Sequence, residues 1–380
     1  VGWQLSADPN RVFVSWREGG MTSNFFDFFK SLVVASVAVV FLTSRASAVE
    51  PESFSTLPVN HSISEHLLSF ANLNEDANYL PIVDIGLRQK KPTWDFNVGA
   101  AILTRGTQSG SWLLREVVPP PAFRSVGIAS QLDSNWAGGL DITGTRELSP
   151  SRRFDAVNVR YFDVQGLQSA AAVDVTGLFV GPAYPGAGVF GKGTGNAVFE
   201  QGTDLYSFEA NGVTHASEWI DLLTGFRWIG MNDSLSYVVN TRDTFDNTYT
   251  GGNSLYGGQI GANIKVLDTG RRLEVYCAPK AGLFLNQAVG VYEKTSTGNR
   301  FNRVFRNQLA FAGDISVNAR YRLTKAFSVQ VGYQLLWLNG IATAADQAAV
   351  MGPDNSTGRA FDSSGSAFFH GALVGGNFVW

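Results

Sequence analysis

The residues of this chain with chemical potential are few and far apart. Its four histidines are His61, His66, His215 and His370, and none sits at metal-ligand spacing from enough partners to hold an ion. No Gly-x-Ser-x-Gly elbow accompanies His215 or His370, so a serine nucleophile beside a histidine base is not indicated. Residues Gly186 to Lys192 read GAGVFGK, the first seven positions of a phosphate-binding loop, but Gly193 stands where Ser or Thr must hold magnesium. A glycine-rich loop is the simpler reading. Cys277 is the single cysteine, which excludes a disulfide framework and a cysteine-based zinc site. The chain therefore reads as a non-enzyme, with no catalytic residue, no metal and no cofactor.

What remains is a set of charges spaced for another purpose. Glu209, Arg227, Lys265, Glu274, Lys280, Asp314, Arg320 and Arg322 each lie within a run that alternates apolar and polar residues with a period of two. Trp94, Phe96, Val98, Ala100 and Ile102 share one face of such a run; Phe311, Ile315, Val317, Ala319 and Tyr321 share one face of another. About twelve strands are expected, near 94–104, 138–146, 153–163, 173–180, 203–214, 218–230, 234–242, 255–267, 272–286, 309–322, 326–338 and 367–380. Several exceed the five or six residues usual in soluble proteins and suit the roughly 9 to 11 of a bilayer-spanning strand.

Alternation alone does not say which face looks inward. In a sandwich the polar face is solvated; in a membrane barrel the apolar face is outside and the polar face lines the lumen. Glycines on the polar faces (Gly257, Gly261, Gly332) and aromatics near segment ends (Trp219, Trp228, Tyr321, Tyr333, Trp337) favour the barrel. The expected fold is all-β, an antiparallel transmembrane β-barrel. The eight charged residues then face the lumen, where charge sets ion preference, or pair across it and plug it. Cys277 and His370 fall on the outward parity.

Composition agrees with two unlike faces. Only 16% of the 380 residues are charged, against roughly 25% in ordinary soluble domains, and mean hydropathy is zero. The net charge of −3 gives no reason to expect nucleic acid. Beyond the first fifty residues no apolar run reaches the roughly 18 that a membrane helix needs. Residues 21–48 read as a signal peptide: Lys30 precedes the apolar run Ser31 to Leu42, and Ala46-Ser47-Ala48 fits a cleavage site. Residues 1–20 read as an overextended start, 49–93 as an irregular or periplasmic lead-in with Pro51, Pro58, Pro81 and Pro92, and 94–380 as the barrel.

From about Thr203 to Trp380 the chain resembles the bacterial outer-membrane barrels grouped as the seventh β-barrel porin family. The resemblance lies in Ser207-Phe208-Glu209-Ala210-Asn211, Leu223-Thr224-Gly225-Phe226-Arg227-Trp228, Ser254 to Ala262, Lys280 to Asn286, Gly332 to Leu338, and Phe369-His370-Gly371-Ala372. The terminal Phe378-Val379-Trp380 is similar to the aromatic-ended signal read by barrel-assembly machinery. The resemblance implies an outer-membrane location, contact with outer-membrane lipid, and no catalytic assignment. The functional expectation is a porin-like channel for passive diffusion of small hydrophilic solutes, gated by loops such as 287–308 and 339–365. The alternative is a structural or adhesive barrel with a plugged lumen, and the third is an outer-membrane hydrolase.

Overall fold

The computed structural model describes residues 94–380, apart from 108–111, 119–121, 149–152, 181–190, 242–243, 271, 295–299 and 352–360. The chain divides into Val1–Leu87 and Arg88–Trp380. The expectations for residues 1–20, 21–48 and 49–93 lie outside the described residues.

In chain order the strands are β1 (Trp94–Arg105), β2 (Trp112–Val118), β3 (Ala122–Ile128), β4 (Ala137–Glu147), β5 (Ala156–Val175), β6 (Leu178–Val180) and β7 (Gly191–Lys192). They continue with β8 (Gly195–His215), β9 (Ile220–Asn240), β10 (Thr244–Asp268), β11 (Leu273–Lys294), β12 (Arg300–Arg322), β13 (Phe327–Ile341) and β14 (Gly365–Val379), with one helix, α1 (Ala344–Val350). Ten of the strands close a barrel in the order β1-β14-β13-β12-β11-β10-β9-β8-β5-β4, and β3-β2-β6-β7 form a separate sheet. All barrel pairings are antiparallel. Trp94 and Trp380 meet at the seam through two backbone hydrogen bonds of 2.8 and 3.0 Å.

The two ends differ. At the seam end the strands are joined by short turns, such as those between His215 and Ile220 and between Arg322 and Phe327. At the other end lie the long connections 106–136, 176–194 and 342–364. The barrel strands β5 and β8 to β12 run 20 to 25 residues, whereas β1, β4, β13 and β14 run 11 to 15. A tall wall on one side thus rises past a low rim on the other.

Ten strands, not twelve, is the correction to the sequence reading, and its cause is physical. Segments 218–230 and 234–242 are one strand, β9, whose inward parity never breaks: Arg227, Ile229, Met231, Asp233, Leu235, Tyr237 and Val239 are all buried. What changes is polarity. Near the seam end the apolar residues of β9 are outward, with Leu222 about half exposed. Farther along they are inward, and Asn232 and Ser234 face out. A polarity inversion inside one strand looks like a turn. Likewise 173–180 is no barrel strand but the end of β5 followed by β6, and 287–308 is no gating loop, since β11 and β12 occupy most of it.

Two glycines bend the wall. Gly166 (φ +74°) and Gly340 (φ +77°) sit where the β5/β8 and β13/β14 registers slip, the left-handed conformation a glycine bulge requires.

The outside of the seam-end half is an apolar belt of exposed large side chains, among them Val98, Ile102, Ile260, Leu283, Leu285, Ile315, Val331, Trp337 and Val374. A soluble barrel has the opposite arrangement. The expected aromatic positions Trp219, Tyr321, Tyr333 and Trp337 are 42 to 50% exposed.

Candidate functional site: the filled lumen

The lumen is filled in layers. The deepest polar layer lies inside the apolar belt, and the side chains in it reach across from strands that are not neighbours. Arg160 of β5 holds Asp141 of β4 with two hydrogen bonds, Nε to Oδ1 at 2.9 Å and Nη2 to Oδ2 at 3.0 Å, and donates to Gln334 Oε1 of β13 at 3.0 Å. Gln334 Nε2 donates to Asp314 Oδ2 of β12 at 2.9 Å, and Arg227 Nη2 of β9 reaches the same oxygen at 3.1 Å. Glu209 of β8 accepts from Lys280 Nζ of β11 at 2.8 Å and from Gln259 Nε2 of β10 at 2.9 Å. Its other oxygen lies 3.6 Å from Arg227 and 3.9 Å from Arg160.

Three cations (Arg160, Arg227, Lys280) thus meet three carboxylates (Asp141, Glu209, Asp314), a neutral set. Neutrality matters because an unpaired buried charge costs several kcal/mol. Ser207 Oγ accepts from Arg227 Nε at 3.0 Å, and Asn211 Oδ1 accepts from Gln259 at 2.8 Å. Glu209 is fully buried, Arg227 is 1% exposed and Asp314 2%.

Next comes an apolar layer of Leu103, Phe162, Ile229, Phe284, Leu336 and Phe369, all buried in one cluster. Farther out a second polar knot centres on Asp233. Its Oδ1 accepts from Arg105 Nη1 at 2.6 Å, Gln201 Nε2 at 3.0 Å and Thr203 Oγ1 at 2.9 Å; its Oδ2 accepts from Ala344 N at 2.8 Å, at the start of α1. Asn253 exchanges two hydrogen bonds with the Ala342 backbone, 2.8 and 2.7 Å. The connection between β13 and β14 is thereby drawn inward, and Ala344, Ala345 and Ala348 pack in one cluster with Phe199, Leu235, Tyr237, Tyr249 and Tyr292. Leu113, Leu114, Ala129 and Leu132 join that cluster from the β1–β4 connection.

Of the eight charges singled out by sequence, Glu209, Arg227, Lys280 and Asp314 form the deep layer. Lys265 pairs with Asp268 at 3.4 Å near the seam end. Glu274 accepts from Tyr276 Oη at 2.7 Å and from Arg322 at 2.6 Å, and Arg320 pairs with Asp95 at 3.2 Å. Sequence reasoning missed Arg160, Asp141, Gln259 and Gln334. Gln259 and Gln334 stood on a polar face already noted, whereas Arg160 and Asp141 are marked only by the outward apolar neighbours Val159, Tyr161 and Ile142. Arg105 and Asp233 carried no such signal, because the residues flanking them, Thr104, Gly106, Asn232 and Ser234, include no large apolar side chain.

The histidines do not converge. His370 is outward on β14, with Nδ1 2.7 Å from Tyr333 Oη and its ring edge-on to Trp136 at 5.9 Å. His215 sits at the short-turn rim, Nδ1 2.7 Å from Asp221 and Nε2 3.3 Å from Glu147. Those carboxylates raise its pKa above the ordinary value. His61 and His66, and Gly186 to Phe190 of the glycine-rich stretch, lie outside the described residues. Among the described residues no group of three or more His, Cys, Asp or Glu is arranged to hold a metal.

No protein-family profile matches the chain, and no curated protein does. Among solved structures, the chain is similar to the outer-membrane protease OmpT from Escherichia coli at 11% identity and a TM-score of 0.46, over 76% of this chain and 97% of that one. A FadL homologue from Pseudomonas aeruginosa matches at 6% identity and 0.21, over 77% and 90%. An anion-selective porin from Comamonas acidovorans matches at 9% and 0.13, over 76% and 99%. Scores below 0.5 do not establish a shared fold.

Proposed function

We propose that the chain is an outer-membrane barrel closed at rest, whose membrane half anchors a folded outer half at the cell surface. The observation that carries this is the burial of Glu209, Arg227 and Asp314, the innermost members of the neutral six-charge network, beneath an apolar layer: a diffusion pore needs a wetted lumen, and these side chains fill this one. The apolar belt supports the membrane half of the reading, because backbone groups in hydrocarbon are all paired only in a helix or a closed barrel. Short turns at the seam end and long connections at the other orient it with the seam toward the periplasm. Phe378 and Trp380, 45% and 65% exposed at the seam, are where assembly machinery reads its signal. We read the protein as a non-enzyme.

Planar-bilayer recording of the purified protein tests the closed state. No conductance steps are expected, and steady open steps from the unaltered protein would sink the reading.

A second reading, a gated channel for small hydrophilic solutes like that of the resembling porin family, draws on one feature. The outer stopper is a short alanine-faced helix held by hydrogen bonds to Asp233 and Asn253. Under that reading Asp233→Asn produces flickering conductance.

A further inference from the structure

We propose that the outer face of β12, with its neighbours, is a binding site for one anionic lipid, its acyl chains in an apolar hollow and its phosphate on Arg303. The proposal rests on the membrane reading above. A hollow of about 920 Å³ lies in the belt, lined by Ile260, Ala281, Phe311, Ile315, Leu335 and Trp337 among others. Its floor is shallow in side chain because Ala281 of β11 pairs with Gly313 of β12. Bulky neighbours stand around two of the smallest residues available.

From the hollow the outward face of β12 continues through Phe311, Leu309, Asn307 and Phe305 to Arg303, while Ala310, Ala312 and Asp314 face inward. Leu309 is 72% and Phe305 68% exposed, among the most exposed large apolar side chains of the barrel. Asn307 pairs with Gln287 of β11, which sets two carboxamides side by side where the belt ends. Beyond them the Arg303 guanidinium carbon lies 4.6 Å from the centre of the Phe305 ring. The ring face attracts the cation, and Arg303 stays exposed. Among the described residues no carboxylate is ion-paired with Arg303.

The chemistry therefore changes along one strand face in a fixed order: apolar hollow, carboxamide pair, aromatic-backed cation. A membrane lipid presents the matching order of acyl chains, polar ester or sugar linkage, and phosphate. Eight residues separate Phe311 from Arg303, about 27 Å of strand at roughly 3.4 Å per residue, or about 19 Å of height at a tilt near 45°. Half of a hydrocarbon core is about 15 Å, so a lipid whose chains lie in the hollow has its phosphate near Arg303. Large apolar surface left outside the belt also calls for a partner. Continuity with the belt makes that partner a lipid.

The test uses the full chain reconstituted in phosphatidylcholine vesicles, with and without phosphatidylglycerol. Flotation with neutral vesicles reports membrane insertion, and native mass spectrometry after extraction reports which lipid stays bound. Phosphatidylglycerol is expected to be retained about tenfold over phosphatidylcholine. Arg303→Glu and Ala281→Leu, which fills the hollow, should each abolish that preference, and Arg306→Gln on the same strand should leave it intact. Excess inorganic phosphate should not displace the lipid. Flotation with equal retention of both lipids, an unchanged preference in Arg303→Glu, or displacement by phosphate each overturns the site alone. Failure to float with neutral vesicles overturns the membrane reading beneath it.

Discussion

The two halves of this barrel are built from the same strands and obey opposite rules. In the seam-end half, β9 puts Leu222 outward and Arg227 inward; in the outer half it puts Asn232 and Ser234 outward and Leu235 and Tyr237 inward. The pleat of β9 is continuous and only the polarity of its two faces changes. Facing direction is therefore set by the backbone pleat and changes only at a bulge, as at Gly166 and Gly340, while polarity is set locally by what lies on each side. In the belt half paired charges fill the inside and large apolar side chains cover the outside. In the outer half an apolar core of rings and alanines surrounds a buried ion pair, Arg105 with Asp233.

The sharpest way to break that contrast is to orphan a charge in the belt half. Arg227→Met leaves Asp314 and Glu209 short of a partner and should cost about 3 to 5 kcal/mol, read by urea unfolding in vesicles. A loss under 1 kcal/mol would mean that water fills the lumen and the network is not buried.

Next in size is one substitution made on the outward face of each half. Leu283→Arg in the belt should cost about 2 to 4 kcal/mol near the midplane. Ser236→Arg in the outer half should stay within about 0.5 kcal/mol of the unaltered protein. Equal costs would erase the boundary between the halves.

The period of two was legible in the sequence, and with it the shared parity of Glu209, Arg227, Lys280 and Asp314. Strand number was not, because the usual sign of a strand's end, a shift in the apolar phase, also arises where the polarity of the two faces inverts within one strand, as in β9. The inward fold of residues 342–351 was illegible for another reason. Asp233 and Ala344 are 111 positions apart, and nothing local to either announces the bond.

A smaller effect tests how the outer core is fastened. Asp233→Asn weakens the acceptor for Arg105 and for Ala344 N, at about 1 to 3 kcal/mol. Hydrogen exchange at Ala344–Val350 should accelerate while exchange in β9 near Arg227 is unchanged. Acceleration in both places would couple the halves.

The smallest prediction lies at the short-turn rim. His215 has its folded pKa raised above 6.5 by hydrogen bonds to Asp221 and Glu147. Its stabilisation is full below about pH 6.5 and is lost as pH rises through the folded value. The side chain is 41% exposed, so the screened pair is worth at most about 1 kcal/mol. The stability difference between the unaltered protein and His215→Gln should shrink from pH 6 to pH 8. A constant difference would assign His215 a packing role only.

The seam has a kinetic consequence. β1 and β14 pair in register from Asp95 with Val379 to Arg105 with Phe369, so the first and last strands of the barrel are neighbours. A contact of such sequence separation pays its loop-closure entropy late and folds slowly. Until β14 arrives, β1 and β13 each present an unpaired edge that hydrocarbon cannot solvate. Under the membrane reading proposed above, closure and insertion are then coupled, and a fragment lacking β14 is an open sheet with two unpaired edges.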